Sequence, residues 1–171
     1  WALLFSLCIG RRVLVFLKKW CHAKVREGTP SSHQLKNDTP TMGGVLIALS
    51  FITTTLLWAN LSRLIVWLFL ANFIGFGLLG FWDDWLKITK KRGLSARIKW
   101  YSQWLLALIM MTAWYYLCSP STELCVPFFK LFQPALGIFL IPWGMFILVA
   151  TSNAVNLTDG LDGLATGPLI C

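Results

Sequence analysis

Residues Leu64 to Trp82 read LIVWLFLANFIGFGLLGFW and run without a break into Asp83-Asp84-Trp85-Leu86-Lys87. The apolar part carries no Asp, Glu, Lys or Arg and has the length of about 20 residues that crosses a bilayer as a helix. Two adjacent carboxylates close that run. A charge at the end of a membrane helix is costly to keep unless it is paired or used, so fold and candidate chemistry are read from the same stretch.

Working outward, three further uncharged runs have spanning length: Thr39 to Ser62, Trp100 to Thr122 and Leu131 to Thr158. A fifth segment, Trp1 to Leu17, is apolar to Ile9 and then interrupted by Arg11 and Arg12. The composition agrees, with 57% hydrophobic residues and only 13% charged where a globular domain has roughly a quarter charged. The expected architecture is all-α, a polytopic transmembrane helix bundle with about five spans. The sequence has no initiator Met and lacks the basic start of a signal peptide. Residues 1–171 are therefore expected to be one transmembrane domain, a fragment truncated at both ends that begins inside its first helix.

The net charge of +8 raises the question of a nucleic-acid partner, and the placement of the basic residues answers it. Arg11, Arg12, Lys18, Lys19, Lys24, Arg26 and Lys36 follow the first segment, and Lys87, Lys90, Lys91, Arg92, Arg97 and Lys99 follow the third. Only Arg63 and Lys130 fall elsewhere. The positive-inside rule makes the two crowded loops cytoplasmic and the turn at Arg63 and the stretch Ser119 to Lys130 external. The basic excess is thus read as topology, with a lipid bilayer as partner and no nucleic acid. Every acidic residue except Glu123 then falls on the cytoplasmic side, in the loop Cys21 to Gly44, the loop Asp83 to Lys99 and the tail Ser152 to Cys171.

These three regions hold the polar constellations. On a continuing helix Asp83 and Lys87 share a face four residues apart, while Asp84 points elsewhere. In the tail, Asn156, Asp159 and Asp162 recur every third residue and would form one stripe on a helix, with Gly160 and Gly163 letting a ligand approach the backbone. Carboxylates, an amide and glycines together suit a sugar, a base edge or a magnesium-bound phosphate. In Lys36-Asn-Asp-Thr-Pro-Thr-Met-Gly-Gly44, Thr39 with Pro40, or else Thr41, can cap the second helix, whose positive end beside Lys36 suits phosphate oxygens. Each of these has a plainer reading: a solvated helix end, a polar turn, an ordinary helix start.

Soluble-enzyme signatures are missing: no Walker motif, Rossmann glycine pattern, nucleophile elbow or paired-histidine zinc motif occurs. Cys8, Cys21, Cys118, Cys125 and Cys171 have no metal-ligand spacing. Cys118 and Cys125 either pair on the outer side or stay unpaired as small apolar residues. Pro120, Pro127 and Pro134 mark the outer loop as irregular or a short hairpin.

Four stretches, taken together, resemble one family: Thr39-Pro-Thr-Met-Gly-Gly44, Asp83-Asp-Trp-Leu-Lys87, Gly93-Leu-Ser-Ala-Arg97 with Lys99, and Ser152-Asn-Ala-Val-Asn-Leu-Thr-Asp-Gly-Leu-Asp-Gly-Leu-Ala165. They are similar to the polyprenyl-phosphate hexosamine-1-phosphate transferases, and the Thr-Pro-Thr-Met-Gly-Gly stretch resembles the phospho-N-acetylmuramoyl-pentapeptide transferase branch. The resemblance implies a ten-helix inner-membrane enzyme of which this sequence matches the first half. The third essential Asp and a histidine-rich motif of that family belong to later helices and have no counterpart here.

The resemblance further implies that UDP-N-acetylmuramoyl-pentapeptide and undecaprenyl phosphate give lipid I and UMP on the cytoplasmic face, with Mg²⁺ neutralising the diphosphate. Its catalytic set maps onto Asp83, Asp84, Asn156, Asp159 and Lys99. Asp83 would deprotonate the polyprenyl phosphate, with a covalent two-step route left open, and Asp84 would support it or the metal. Asn156 and Asp159 would line the sugar and phosphate region, and Lys36, Thr41, Gly160, Leu161 and Asp162 the uridine pocket. Lys87, Lys91 and Lys99 would offer cations to the diphosphate. Asp83 and Asp84 would be the metal ligands here, the main ligand being expected outside these residues, and a homodimer is allowed. Transfer of N-acetylglucosamine phosphate by the sister branch, or a non-catalytic membrane scaffold, are the competing expectations.

Overall fold

The computed structural model describes residues 1–20, 43–90, 92–125 and 133–158. Helices overlap the four uncharged runs and the fifth, arginine-interrupted segment: α1, Ala2–Trp20; α2, Gly44–Trp58; α3, Leu64–Lys90; α4, Ala96–Cys118; and α5, Leu140–Thr158. The chain divides into two compact units, Trp1–Lys99 and Trp100–Cys171.

In the first unit α1 packs on α2. Trp1, at the start of α1, stacks on Trp58, at the end of α2, with ring centroids 5.6 Å apart, so the two helices run antiparallel. Ser50, Thr54 and Thr55 donate their hydroxyls to carbonyls one turn back at 2.7–2.9 Å. Thr53 does the same to Leu49. Polar residues are tolerated in this otherwise apolar helix because their hydroxyls are satisfied inside it. Asn60 then turns the chain, its Oδ1 accepting from the Ser62 amide at 3.1 Å. Helix α3 returns against α2, with Phe51 and Phe73 4.4 Å apart.

Thr39 and Thr41 lie outside the described residues, and the described helix opens at Gly44 with Gly43 as N-cap and no side-chain cap bond. Helix α2 has 15 residues, about 22 Å, which is less than the roughly 30 Å hydrocarbon layer. Among the described residues, two helical segments are long and apolar enough to cross a membrane by themselves, Leu64–Lys90 and Gly137–Val155. Helix α4 has the length, but Gln103 and the rings of Trp100, Tyr101, Trp104, Trp114, Tyr115 and Tyr116 lower its mean hydropathy. Rings of this kind belong at bilayer interfaces. Phe69, Leu78 and Phe139 are all more than 60% exposed, a surface suited to lipid and not to water.

In the second unit the loop after α4 closes on itself as a short hairpin. Glu123 bridges Ala135 in antiparallel sense, through Leu124 N–H to Pro134 O at 3.0 Å and Leu136 N–H to Thr122 O at 2.9 Å. Cys118 and Cys125 are free thiols. Gly137 adopts φ +52°, a left-handed conformation that glycine allows without strain, and a 3-10 turn, Gly137–Phe139, leads into α5. Helices α4 and α5 approach closely at Gly144, where an added Cβ would stand 2.1 Å from Met111 Cε. Nearer the end of α5, buried Gln103 accepts from Asn153 Nδ2 at 2.9 Å.

Candidate functional site

Helix α3 does not stop at the membrane end of its apolar run but continues through Lys90. Continuation brings Lys87 back over the doublet, because residues three and four apart lie on one helical face. Lys87 Nζ stands 2.8 Å from Asp83 Oδ2 and also 2.8 Å from Asp84 Oδ1. The expectation that Asp84 points away from Lys87 is therefore corrected. At three residues' distance Asp84 is still a neighbour of a long, flexible ammonium side chain, which bridges both carboxylates.

The two carboxylates differ in environment. Asp83 is 7% exposed, whereas the Asp84 side chain is 46% exposed. Asp83 is covered by the connection between α3 and α4. Ser95 opens α4, its Oγ accepting from the Ile98 amide at 3.4 Å, in the way N-cap side chains do. That turn sets two groups against Asp83. The Leu94 N–H donates to Asp83 Oδ1 at 2.8 Å, and Lys99 Nζ, in the first turn of α4, stands 3.9 Å from Oδ2. A buried carboxylate is kept only when its charge is compensated; here one amide and two ammonium groups converge on it.

Asp84, besides meeting Lys87, borders open space. It lies at one end of a cavity of about 440 Å³ between α2 and α3, otherwise apolar and lined by residues such as Val45, Ala48, Ile52, Phe73 and Gly77. Among the described residues no three His, Cys, Asp or Glu side chains converge on one point. The doublet is thus the carboxylate set that a hard cation would meet there. One or two carboxylates, completed by water and substrate phosphates, is how Mg²⁺ is commonly held. Half-exposed Asp84 suits that role by its access.

Of the residues singled out from sequence, Asp83, Asp84, Lys87 and Lys99 are brought together here. Asn156 lies on the last turns of α5, its side chain outside the described set. Lys36, Thr41, Lys91, Asp159, Gly160, Leu161 and Asp162 fall outside the described residues. Two positions escaped the sequence reading, Gly93 and the main-chain amide of Leu94. Their signal lies in Gly93-Leu-Ser-Ala-Arg97, a stretch that carries the family resemblance but whose residue types say nothing about which backbone amide meets Asp83.

Comparison with known proteins gives two family matches. Residues 65–171 match the model for glycosyl transferase family 4, and residues 36–47 match phospho-N-acetylmuramoyl-pentapeptide-transferase signature 1. Among curated relatives, a protein of Citrifermentans bemidjiense is 47% identical over 98% of this chain and 48% of its own length. One of Desulfosudis oleivorans is 51% identical over 85% of this chain and 41% of its own. One of Thermodesulfovibrio yellowstonii is 43% identical over 95% and 46% respectively. All three are named phospho-N-acetylmuramoyl-pentapeptide-transferase. The chain spans about half the length of these relatives.

Proposed function

We propose, from the premise that this chain belongs to glycosyl transferase family 4, that it supplies part of the active site of an inner-membrane phospho-N-acetylmuramoyl-pentapeptide transferase. The observation that carries the reading is the Asp83, Asp84, Lys87 and Lys99 cluster closing the long apolar helix α3. The signature match at residues 36–47 favours the muramoyl donor over the sister sugar.

The reaction is phosphoryl transfer, which is accelerated chiefly by positioning and charge stabilisation. An oxygen of undecaprenyl phosphate attacks the sugar-bearing phosphorus of UDP-N-acetylmuramoyl-pentapeptide, the diphosphate anhydride bond breaks, and UMP leaves as lipid I forms. The acceptor head group would arrive from lipid at the boundary where the apolar run of α3 meets the doublet. Isoprenoid units suit the apolar cavity that ends at Asp84. Lys87 and Lys99 would draw phosphate oxygens to Asp83, a charge-assisted contact in a partly dehydrated site. Asp83 then takes the acceptor proton at Oδ2, the oxygen both lysines face. Asp84, with Asp83, would hold Mg²⁺, whose chemistry is neutralisation of the donor diphosphate. Lys91 would add a further cation, Asn156 and Asp159 would serve the sugar and phosphate region, and Lys36, Thr41, Gly160, Leu161 and Asp162 the uridine.

The test is consumption of donor by the full-length protein in undecaprenyl phosphate vesicles. UMP and lipid I are expected from UDP-N-acetylmuramoyl-pentapeptide with Mg²⁺ present. Turnover of UDP-N-acetylglucosamine in its place would move the protein to the sister branch, and no UMP from either donor would remove the transferase reading.

A further inference from the structure

The connection between α3 and α4 passes so close to Asp83 that residue 93 has no room for a side chain. A Cβ added at Gly93 would stand 2.6 Å from Asp83 Oδ1 and 3.0 and 3.2 Å from Lys87 Cε and Cγ. The backbone there needs no special conformation, since Gly93 is not among the residues with positive φ. What glycine provides is space, which lets the next amide, Leu94 N–H, reach Oδ1 at 2.8 Å. With Oδ1 held by the main chain, Oδ2 is left facing Lys87 and Lys99. A main-chain donor is also the one partner of Asp83 that cannot change rotamer, whereas both lysines are flexible and partly exposed.

From this geometry we infer that Gly93 and the Leu94 amide are positioning residues that lock the Asp83 carboxylate in the orientation used for phosphoryl transfer. The inference rests on the role of Asp83 proposed above. A methyl at residue 93 must displace Oδ1, the Lys87 stem, or the connection itself, and each movement breaks the 2.8 Å bond or turns Oδ2 from the lysines. A shift of about 1 Å in a reacting group can lower rate by roughly 100-fold.

The experiment measures kcat, KM for the UDP donor and melting temperature for the full-length enzyme carrying Gly93→Ala, Leu94→Pro, Asp83→Asn and the double substitution Gly93→Ala with Asp83→Asn. Gly93→Ala is expected to lower kcat by about 10- to 100-fold with KM nearly unchanged. Leu94→Pro, which deletes the donor and sets a ring carbon where the amide hydrogen pointed at Oδ1, should reproduce the loss. In the Asp83→Asn background Gly93→Ala should add almost nothing, because groups acting through one residue are not additive. A merely structural role predicts the opposite, a full additional loss in the double variant with a lowered melting temperature. Gly10→Ala, whose new methyl would meet Leu46 Cδ2 at an ordinary 3.5 Å, is the control for the substitution itself. Wild-type kcat in both Gly93→Ala and Leu94→Pro, or full additivity with Asp83→Asn, overturns the inference. Full activity of Asp83→Asn alone would instead overturn the role of Asp83.

Discussion

Replacing Asp83 by Asn separates chemistry from structure, because the two effects have different sizes at this site. The amide oxygen of Asn can still accept from Leu94 N–H, now 2.8 Å from Oδ1, so the main-chain bond survives. Lys87 keeps Asp84 at 2.8 Å, and Lys99, already 3.9 Å from Oδ2, loses its anion. Breaking a fully buried ion pair costs about 3–5 kcal/mol. Here the Lys87 side chain is 48% exposed and the Lys99 side chain 26%, so solvent brings the stability loss down to about 1 kcal/mol. For a protein of this size or larger that is a melting shift of about 2–4 °C at most. Loss of a general base lowers turnover by about 10²- to 10⁴-fold, equivalent to about 3–5 kcal/mol of barrier. The catalytic effect should therefore exceed the structural one several-fold, with donor affinity measured in the absence of Mg²⁺ nearly unchanged. Lipid I formation, UDP-donor binding and thermal melting are to be measured on one preparation of the full-length enzyme. A variant that is slow, melts early and binds donor poorly in parallel would refute the general-base role and leave Asp83 as a structural partner of Lys87.

The remaining predictions concern the chain's placement and packing. In a cysteine-free background, Ser95→Cys should react only from the cytoplasmic side and Ser121→Cys only from outside; labelling of Ser95→Cys from outside alone would invert the charge-based topology. The 171-residue chain purified by itself should make no lipid I, since the third Asp that the family resemblance implies is not in it; robust turnover would show that these residues suffice. Gly144→Ala should destabilise the packing of α4 on α5, because the new methyl would stand 2.1 Å from Met111 Cε. Overpacking costs about 1–3 kcal/mol, here toward the lower end because the clashing atoms are the flexible end of Met111, and Gly144→Ala with Met111→Ala should recover part of the melting temperature.

The helical class and the approximate position of four of the five described α-helices were legible because an uncharged run of about 20 residues has one stable form in lipid, an internally hydrogen-bonded helix. The doublet was legible for the same reason: charge ending an apolar run stands out against its surroundings. Lys87 over Asp83 followed from helical periodicity alone. The bridging of Asp84 by the same ammonium did not follow, because an i,i+3 and an i,i+4 contact were equally open and only the folded helix makes both. Nor did sequence separate the two carboxylates, which are adjacent and chemically identical. Their difference, Asp83 buried and Asp84 half-exposed, comes from where the connection after α3 folds back. Gly93 and the Leu94 amide were invisible for a related reason: a backbone N–H is present at every residue except proline. The order of residues determined the helices, their candidate sides of the membrane and the charges available to phosphate, since these depend on local composition and periodicity. Tertiary structure decided which carboxylate is enclosed and which amide holds it, because that depends on distances between segments that neighbour one another only after the chain turns at Ser95.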